Sequence, residues 1–65
     1  MNWDRIEGSW NEFSGKAKQQ WGKLTDDDWT RIKGNRQELE GAIQRRYGYE
    51  KDRVKQDVDT WMSGF

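Results

Sequence analysis

The chain has 65 residues, 37% of them charged and 31% hydrophobic, with twelve basic side chains against twelve acidic ones and a mean hydropathy of -1.42. Charge balance leaves no net field to draw in nucleic acid or anionic lipid, and the absence of cysteine and histidine removes a disulfide framework and the usual zinc, haem and thiol chemistries. A chain this short forms one domain at most, residues 1–65, burying about 60% of the surface its unfolded form exposes, so five tryptophans, two tyrosines and two phenylalanines must supply much of the core.

The start, Met1-Asn2-Trp3-Asp4-Arg5, lacks the basic and apolar regions of a signal peptide. No run approaches the roughly 18 apolar residues of a membrane span, so the expectation is a soluble cytoplasmic protein. In the first segment Trp3, Ile6, Trp10, Phe13, Ala17, Trp21 and Leu24 recur every three or four residues, which is one helical stripe. Asn2 is placed to cap its start, and Gly22 to end it in a left-handed conformation.

The second start is the best marked. Thr25 is an N-cap candidate, Asp28 takes the third helical position of a capping box, and Leu24 and Trp29 occupy the positions of a hydrophobic staple. Asp26, Asp27 and Asp28 all favour the positive end of a helix dipole. They point in different directions on a helix, so a capping cluster describes them better than a cation site, and no cofactor is expected. The stripe continues through Trp29, Ile32, Leu39, Ile43 and Tyr47 to Gly48, with Arg36 where the first stripe has Trp10. A third helix, about 50–62, carries Val54, Val58, Trp61 and Met62, with Phe65 beyond it at the same spacing.

Residues 3–28 repeat as 29–54. At a shift of 26, Trp3/Trp29, Arg5/Arg31, Ile6/Ile32, Gly8/Gly34, Glu12/Glu38, Gly15/Gly41, Gly22/Gly48 and Asp26/Asp52 are identical. The duplication predicts an all-α fold, a small bundle of two packed helix hairpins with three helices, or four if the first segment breaks near Gly8 or Gly15.

Gly8, Gly15, Gly34 and Gly41 fall inside predicted helices, where each costs about 0.8 to 1.0 kcal/mol relative to alanine. They project opposite the tryptophan stripe, so packing against the main core is not their reason. Three readings stand: breaks or a minor packing face, a smooth face that meets a protein partner or another copy of the chain, or low helix stability that is useful in itself. Arg31, Lys33, Arg36, Arg45 and Arg46 make the second copy locally basic, and these, Arg36 apart, together with Lys23 in the Gly22-Lys23 loop are candidate nucleic-acid contacts. The nearby aspartates, and pairing with acids along the helix, argue against that use. A tryptophan stripe without a basic polar face also reads as core, not as a membrane-surface helix. No phosphate loop, nucleophile elbow or acid–base pair with histidine is present, so catalysis is not expected.

Met1-Asn2-Trp3-Asp4-Arg5-Ile6-Glu7-Gly8, Trp10, Phe13, Gly15-Lys16, Lys18 and Trp21-Gly22-Lys23-Leu24-Thr25-Asp26-Asp27-Asp28 resemble the CsbD-like (YjbJ-type) family of small bacterial proteins. So do Gly34, Arg36, Leu39, Gly41, Ile43-Gln44, Arg46-Tyr47-Gly48-Tyr49, Lys51-Asp52, Val58 and Trp61; Ser14 and the end Met62-Ser63-Gly64-Phe65 depart from the usual pattern. The resemblance implies two packed helix hairpins, a role in the general stress response to osmotic and stationary-phase stress, and membership of the glycine-rich hydrophilins. It brings no catalytic residue. The resulting expectation is a non-enzymatic protein that protects or binds other macromolecules, the alternative being a nucleic-acid-binding or protein-interaction helical module.

Overall fold

A computed structural model describes residues 3–64, and no strand occurs among them. Five helices follow one another: α1 Trp3–Gly8, α2 Trp10–Gln20, α3 Asp26–Ile32, α4 Arg36–Tyr47 and α5 Lys51–Ser63. The all-α expectation holds, and α1 packs on α2 while α4 packs on both α3 and α5. The helix count differs from three or four because both copies break, the first after Gly8 and the second after Ile32. The proposed caps at Asn2 and the apolar position at Phe65 lie outside the described residues.

The first break is minimal. Ser9 leaves helical geometry at φ -112°, ψ 33° while its N–H still donates to Arg5 O and Ile6 O, and its carbonyl accepts from Phe13 N–H to open α2. The second break is wider and left-handed. Lys33 (φ 44°) closes α3, Gly34 has φ +83°, and Asn35 opens α4 by accepting the Glu38 N–H at 3.2 Å. Gly34 is therefore not inside a helix, contrary to the sequence reading, and it is buried.

Gly48 ends α4 in the left-handed conformation that its position predicts, donating to Gln44 O. Gly22 does not repeat it, because Trp21 itself departs from the helix at φ -119°, ψ 67° and its carbonyl accepts from Leu24 N–H to make the turn. The Thr25–Asp28 capping box is present in both directions: Asp28 N–H donates to Thr25 Oγ1 at 3.2 Å and Thr25 N–H to Asp28 Oδ2 at 2.9 Å. That satisfies two N-terminal donors that the helix cannot pair internally.

The core holds Ile6, Phe13, Ala17, Trp21, Leu24, Trp29, Ile32, Leu39, Ala42, Ile43, Val54, Val58 and Met62. Its fully buried centre is Phe13 with the branched aliphatics, whereas Trp3, Trp10 and Trp61 are only partly buried and pack around it. Phe13 touches Trp3, Trp10 and Trp61 at ring-centroid distances of 5.7, 5.4 and 5.0 Å. Trp10 continues to Trp29 and Trp61 to Trp21, so all five tryptophans join one aromatic cluster. Edge and tilted ring contacts of this kind add about 0.5 to 1.5 kcal/mol each beyond the area they bury.

Arg36, at the position of Trp10 in the first copy, replaces ring packing with ion pairing. Its Nε lies 2.7 Å from Glu40 Oε2, Nη2 bonds Asp59 Oδ1 and Nη1 meets Met62 Sδ at 3.7 Å, which ties α4 to α5. Burial alone would lower the Arg36 pKa, but the hydrogen bonds it donates to Glu40 and Asp59 outweigh it and hold the guanidinium above its ordinary value.

Candidate functional site

The glycines nominated by the sequence do not form one surface. Gly8 ends α1 and Gly15 lies in the middle of α2, both exposed, and a Cβ added at either would meet nothing within 4 Å. Gly41 is half-buried in α4, where an added Cβ would lie 3.5 Å from Arg45 Nη1. Gly34 belongs elsewhere. Its carbonyl accepts from Trp3 Nε1–H, and an added Cβ would stand 3.1 Å from Glu7 Cγ, so this turn is seated on α1 as an internal joint between the two copies.

The nominated cations are also divided. Arg46 is committed, with Nε and Nη2 at 2.8 and 3.3 Å from the two oxygens of Asp28. This pairing raises the Arg46 pKa. On the other side, the Arg46 hydrogen bond first, then the Thr25 N–H, hold the Asp28 carboxyl down at about 2 against the cost of its burial. Lys23 places its ammonium 5.1 Å from the Tyr47 ring centroid and its N–H 3.3 Å from the Tyr47 hydroxyl. Arg31, Lys33 and Arg45 are exposed, in the last turn of α3, at its left-handed cap and in the last turn of α4.

A second feature was not read from the sequence. Along the seam between α2 and α5 runs a groove of about 550 Å³ whose aromatic lining is Trp21, Tyr47, Tyr49 and Trp61. Lys16 and Gln20 come from one turn of α2, and Arg53, Asp57 and Thr60 from a stripe of α5 beside the buried Val54, Val58 and Met62. Tyr47 and Tyr49 flank Gly48, and its left-handed cap brings their rings to 5.3 Å. The Arg53 guanidinium stacks on Tyr49, 3.7 Å from the ring centroid, with Asp57 Oδ2 3.8 Å from Arg53 Nε. Tyr47 and Trp61 register in the sequence only as stripe positions, because the groove that gathers them joins segments remote along the chain.

Among the described residues no group of carboxylates is placed to hold a metal ion, and no helix is long and apolar enough to cross a membrane. Chemically, the groove gathers aromatic rings, two cations and one carboxylate, with Lys16 paired to Glu12 and Arg53 to Asp57.

Comparison with known proteins gives a consistent picture. The CsbD-like family pattern matches residues 4–56. A UPF0337 protein of Rhodopseudomonas palustris is 56% identical over 63 residues, covering 97% of this chain and 96% of that protein. A UPF0337 protein of Agrobacterium fabrum is 62% identical over 61 residues, covering 94% and 91%, and the UPF0337 protein YjbJ of Escherichia coli K12 is 56% identical over 61, covering 94% and 88%. No solved structure matches the chain.

Proposed function

Because the chain belongs to the CsbD-like family, we infer that it is a non-enzymatic stress-response protein of hydrophilin type. It protects or binds other macromolecules in the cytoplasm under osmotic or stationary-phase stress. The observation that carries this reading is Gly15: it lies exposed in the middle of α2 with open space where a Cβ would be, so neither packing nor backbone geometry calls for glycine there. Such a residue lowers the intrinsic stability of α2 by about 0.8 to 1.0 kcal/mol. In a chain of 65 residues with 37% charged side chains, that is a sizeable share of a small total stability. A helix held near its limit orders and disorders easily, presenting a hydrated, charge-balanced surface to its neighbours when water is scarce.

The test is a drying or freeze–thaw assay on a labile enzyme. Protection greater than that by an equal mass of an unrelated folded protein is the expected result, and protection no greater argues against shielding. Gly8, Gly15 and Gly41, on α1, α2 and α4, remain candidate contact positions for a protein client or a second copy, and Gly15→Arg together with Gly41→Arg should abolish protection if direct contact at these positions is required.

A further inference from the structure

The bundle divides into two units of unequal attachment. The α1 helix packs on α2, while α4 packs on both α3 and α5, and the two ion pairs described between helices, Asp28–Arg46 and Arg36–Asp59, both lie within α3–α5. Between α1–α2 and α3–α5 the described contacts run through side chains. Trp10 meets Trp29 at 6.2 Å, Phe13 meets Trp61 at 5.0 Å, and Trp3 Nε1–H donates to Gly34 O. The connection is the segment 21–25, in which Trp21 has already left helical geometry and Thr25 is bound to α3 by its capping box.

Trp29, which meets Trp10 across this interface, is buried, and its Nε1–H finds no acceptor among the described residues. The duplication supplies the reason. Trp29 is the counterpart of Trp3, whose indole N–H is taken by the Gly34 carbonyl in the turn before α4. The same shift of 26 carries Gly34 onto Thr60, which lies inside α5, so a helix stands where the turn would be. The second copy keeps the tryptophan and lacks the turn that serves it. A buried donor without an acceptor disfavours the closed form by a factor of about five to 150, because any form that admits water to the N–H regains the hydrogen bond.

We propose that α1–α2 is a lid that undocks as one unit from α3–α5 about residues 21–25, hydration of the Trp29 indole N–H opposing the aromatic contacts that hold it closed. Openings of contiguous units below the level of global unfolding are an ordinary mode of small domains. Once undocked, helices as short as α1 and α2 are marginal in water, so their amides exchange with solvent together. The lid is independent of the protective role. Exchange is read on the protein alone and protection on a labile enzyme, so either result can fail without the other.

The experiment is native-state hydrogen exchange of the full chain in rising, sub-denaturing urea, followed amide by amide by nuclear magnetic resonance. It is run on the parent and on two chemically synthesised chains in which Trp29 or Trp3 is replaced by 3-benzothienylalanine, which keeps the bicyclic shape and puts sulfur in place of the N–H. In the parent, the Phe13 and Ala17 amides of α2 should be at least about ten-fold less protected than those of Leu39 and Ile43 in α4 and Val58 in α5, with a shared and smaller dependence on urea. Replacement at Trp29 removes the unmet donor and should raise the protection of Phe13 and Ala17 about five-fold or more. Replacement at Trp3 removes the bond to Gly34 and should lower it, by about two-fold to ten-fold. Equal protection of the α2 and α4 amides in the parent at every urea concentration overturns the proposal, since the bundle then opens only as a whole. So does a Trp29 replacement that leaves Phe13 and Ala17 unchanged while protecting Leu39 and Ile43, since the N–H then stays covered when α2 opens.

Discussion

Asp28 Oδ2 accepts both the Thr25 N–H at 2.9 Å and the Arg46 Nε–H at 2.8 Å, so one buried carboxylate oxygen caps α3 and anchors the last turn of α4. The side chain is 6% exposed and that of Arg46 46%. Burial disfavours the charged carboxylate, yet the donors around it prevail and the pKa falls to about 2.

Asp28→Ala removes both attachments, and the lost cap alone should cost about 1 kcal/mol, lowering Tm by roughly 4 to 8 °C. The acid dependence has a definite sign. The folded pKa of about 2 lies below the unfolded value near 3.8, so the ionised form favours the folded state, and its contribution is complete above about pH 5 and lost as pH falls through 4 towards 2. Thermal melts of the parent and Asp28→Asn should therefore differ most near neutrality and converge towards pH 2. A constant difference across that range would mean that the carboxylate charge is not what holds the two helices.

Gly15→Ala should stabilise the protein by about 0.8 to 1.0 kcal/mol, because α2 is helical there and an added Cβ meets nothing. Gly34→Ala should do the reverse, costing about 1 kcal/mol or more, since φ +83° is unfavourable to any Cβ and Glu7 Cγ would stand 3.1 Å away. Paired urea melts decide both signs. Equal shifts in one direction would contradict the placement of one of the two glycines.

The glycines show where the sequence ceased to be legible. The stripe spacing, the Thr25 box and Gly48 are local patterns, and each took the form that its neighbours along the chain dictate. Gly8 and Gly34 are identical in the alignment of the two copies, as are Gly22 and Gly48, yet only Gly34 and Gly48 adopt positive φ. What separates Gly34 from Gly8 is tertiary: its turn receives Trp3 Nε1–H and rests on Glu7, contacts that a repeat alignment does not contain. The groove was hidden for the same reason. Lys16, Tyr49 and Arg53 have no shared spacing, and only the meeting of α2 with α5 gathers them.

Arg36 and Glu40 should couple more strongly than Lys16 and Glu12, an exposed helical pair with the same spacing. Their side chains are 29% and 13% exposed, whereas Lys16 and Glu12, 3.9 Å apart, are 62% and 67% exposed. Water screens the exposed pair, so double-mutant cycles to alanine should return about 0.3 kcal/mol or less for Lys16–Glu12 and about 1 kcal/mol for Arg36–Glu40. Arg36→Ala should also weaken the tie to Asp59 on α5. Its single-variant cost should thus exceed that of Lys16→Ala, and equal costs would show that the Arg36 network is ornamental to stability.

Phe13, not any single tryptophan, should prove the most sensitive core position. It is fully buried and contacts three tryptophans, so Phe13→Ala opens a void where the aromatic cluster converges and costs about 3 to 5 kcal/mol. A domain of this size has little more than that to lose, and the variant should lack a cooperative melt at 25 °C. Trp10→Phe keeps a ring against Phe13 while trimming a half-buried side chain, and should retain the fold with a Tm only a few degrees lower, roughly 4 to 8 °C for about 1 kcal/mol. Near-ultraviolet circular dichroism reads the same cluster: its tryptophan bands should vanish in Phe13→Ala and persist in Trp10→Phe. Were the order of damage reversed, the core would depend on the tryptophan rim more than on the residue it surrounds.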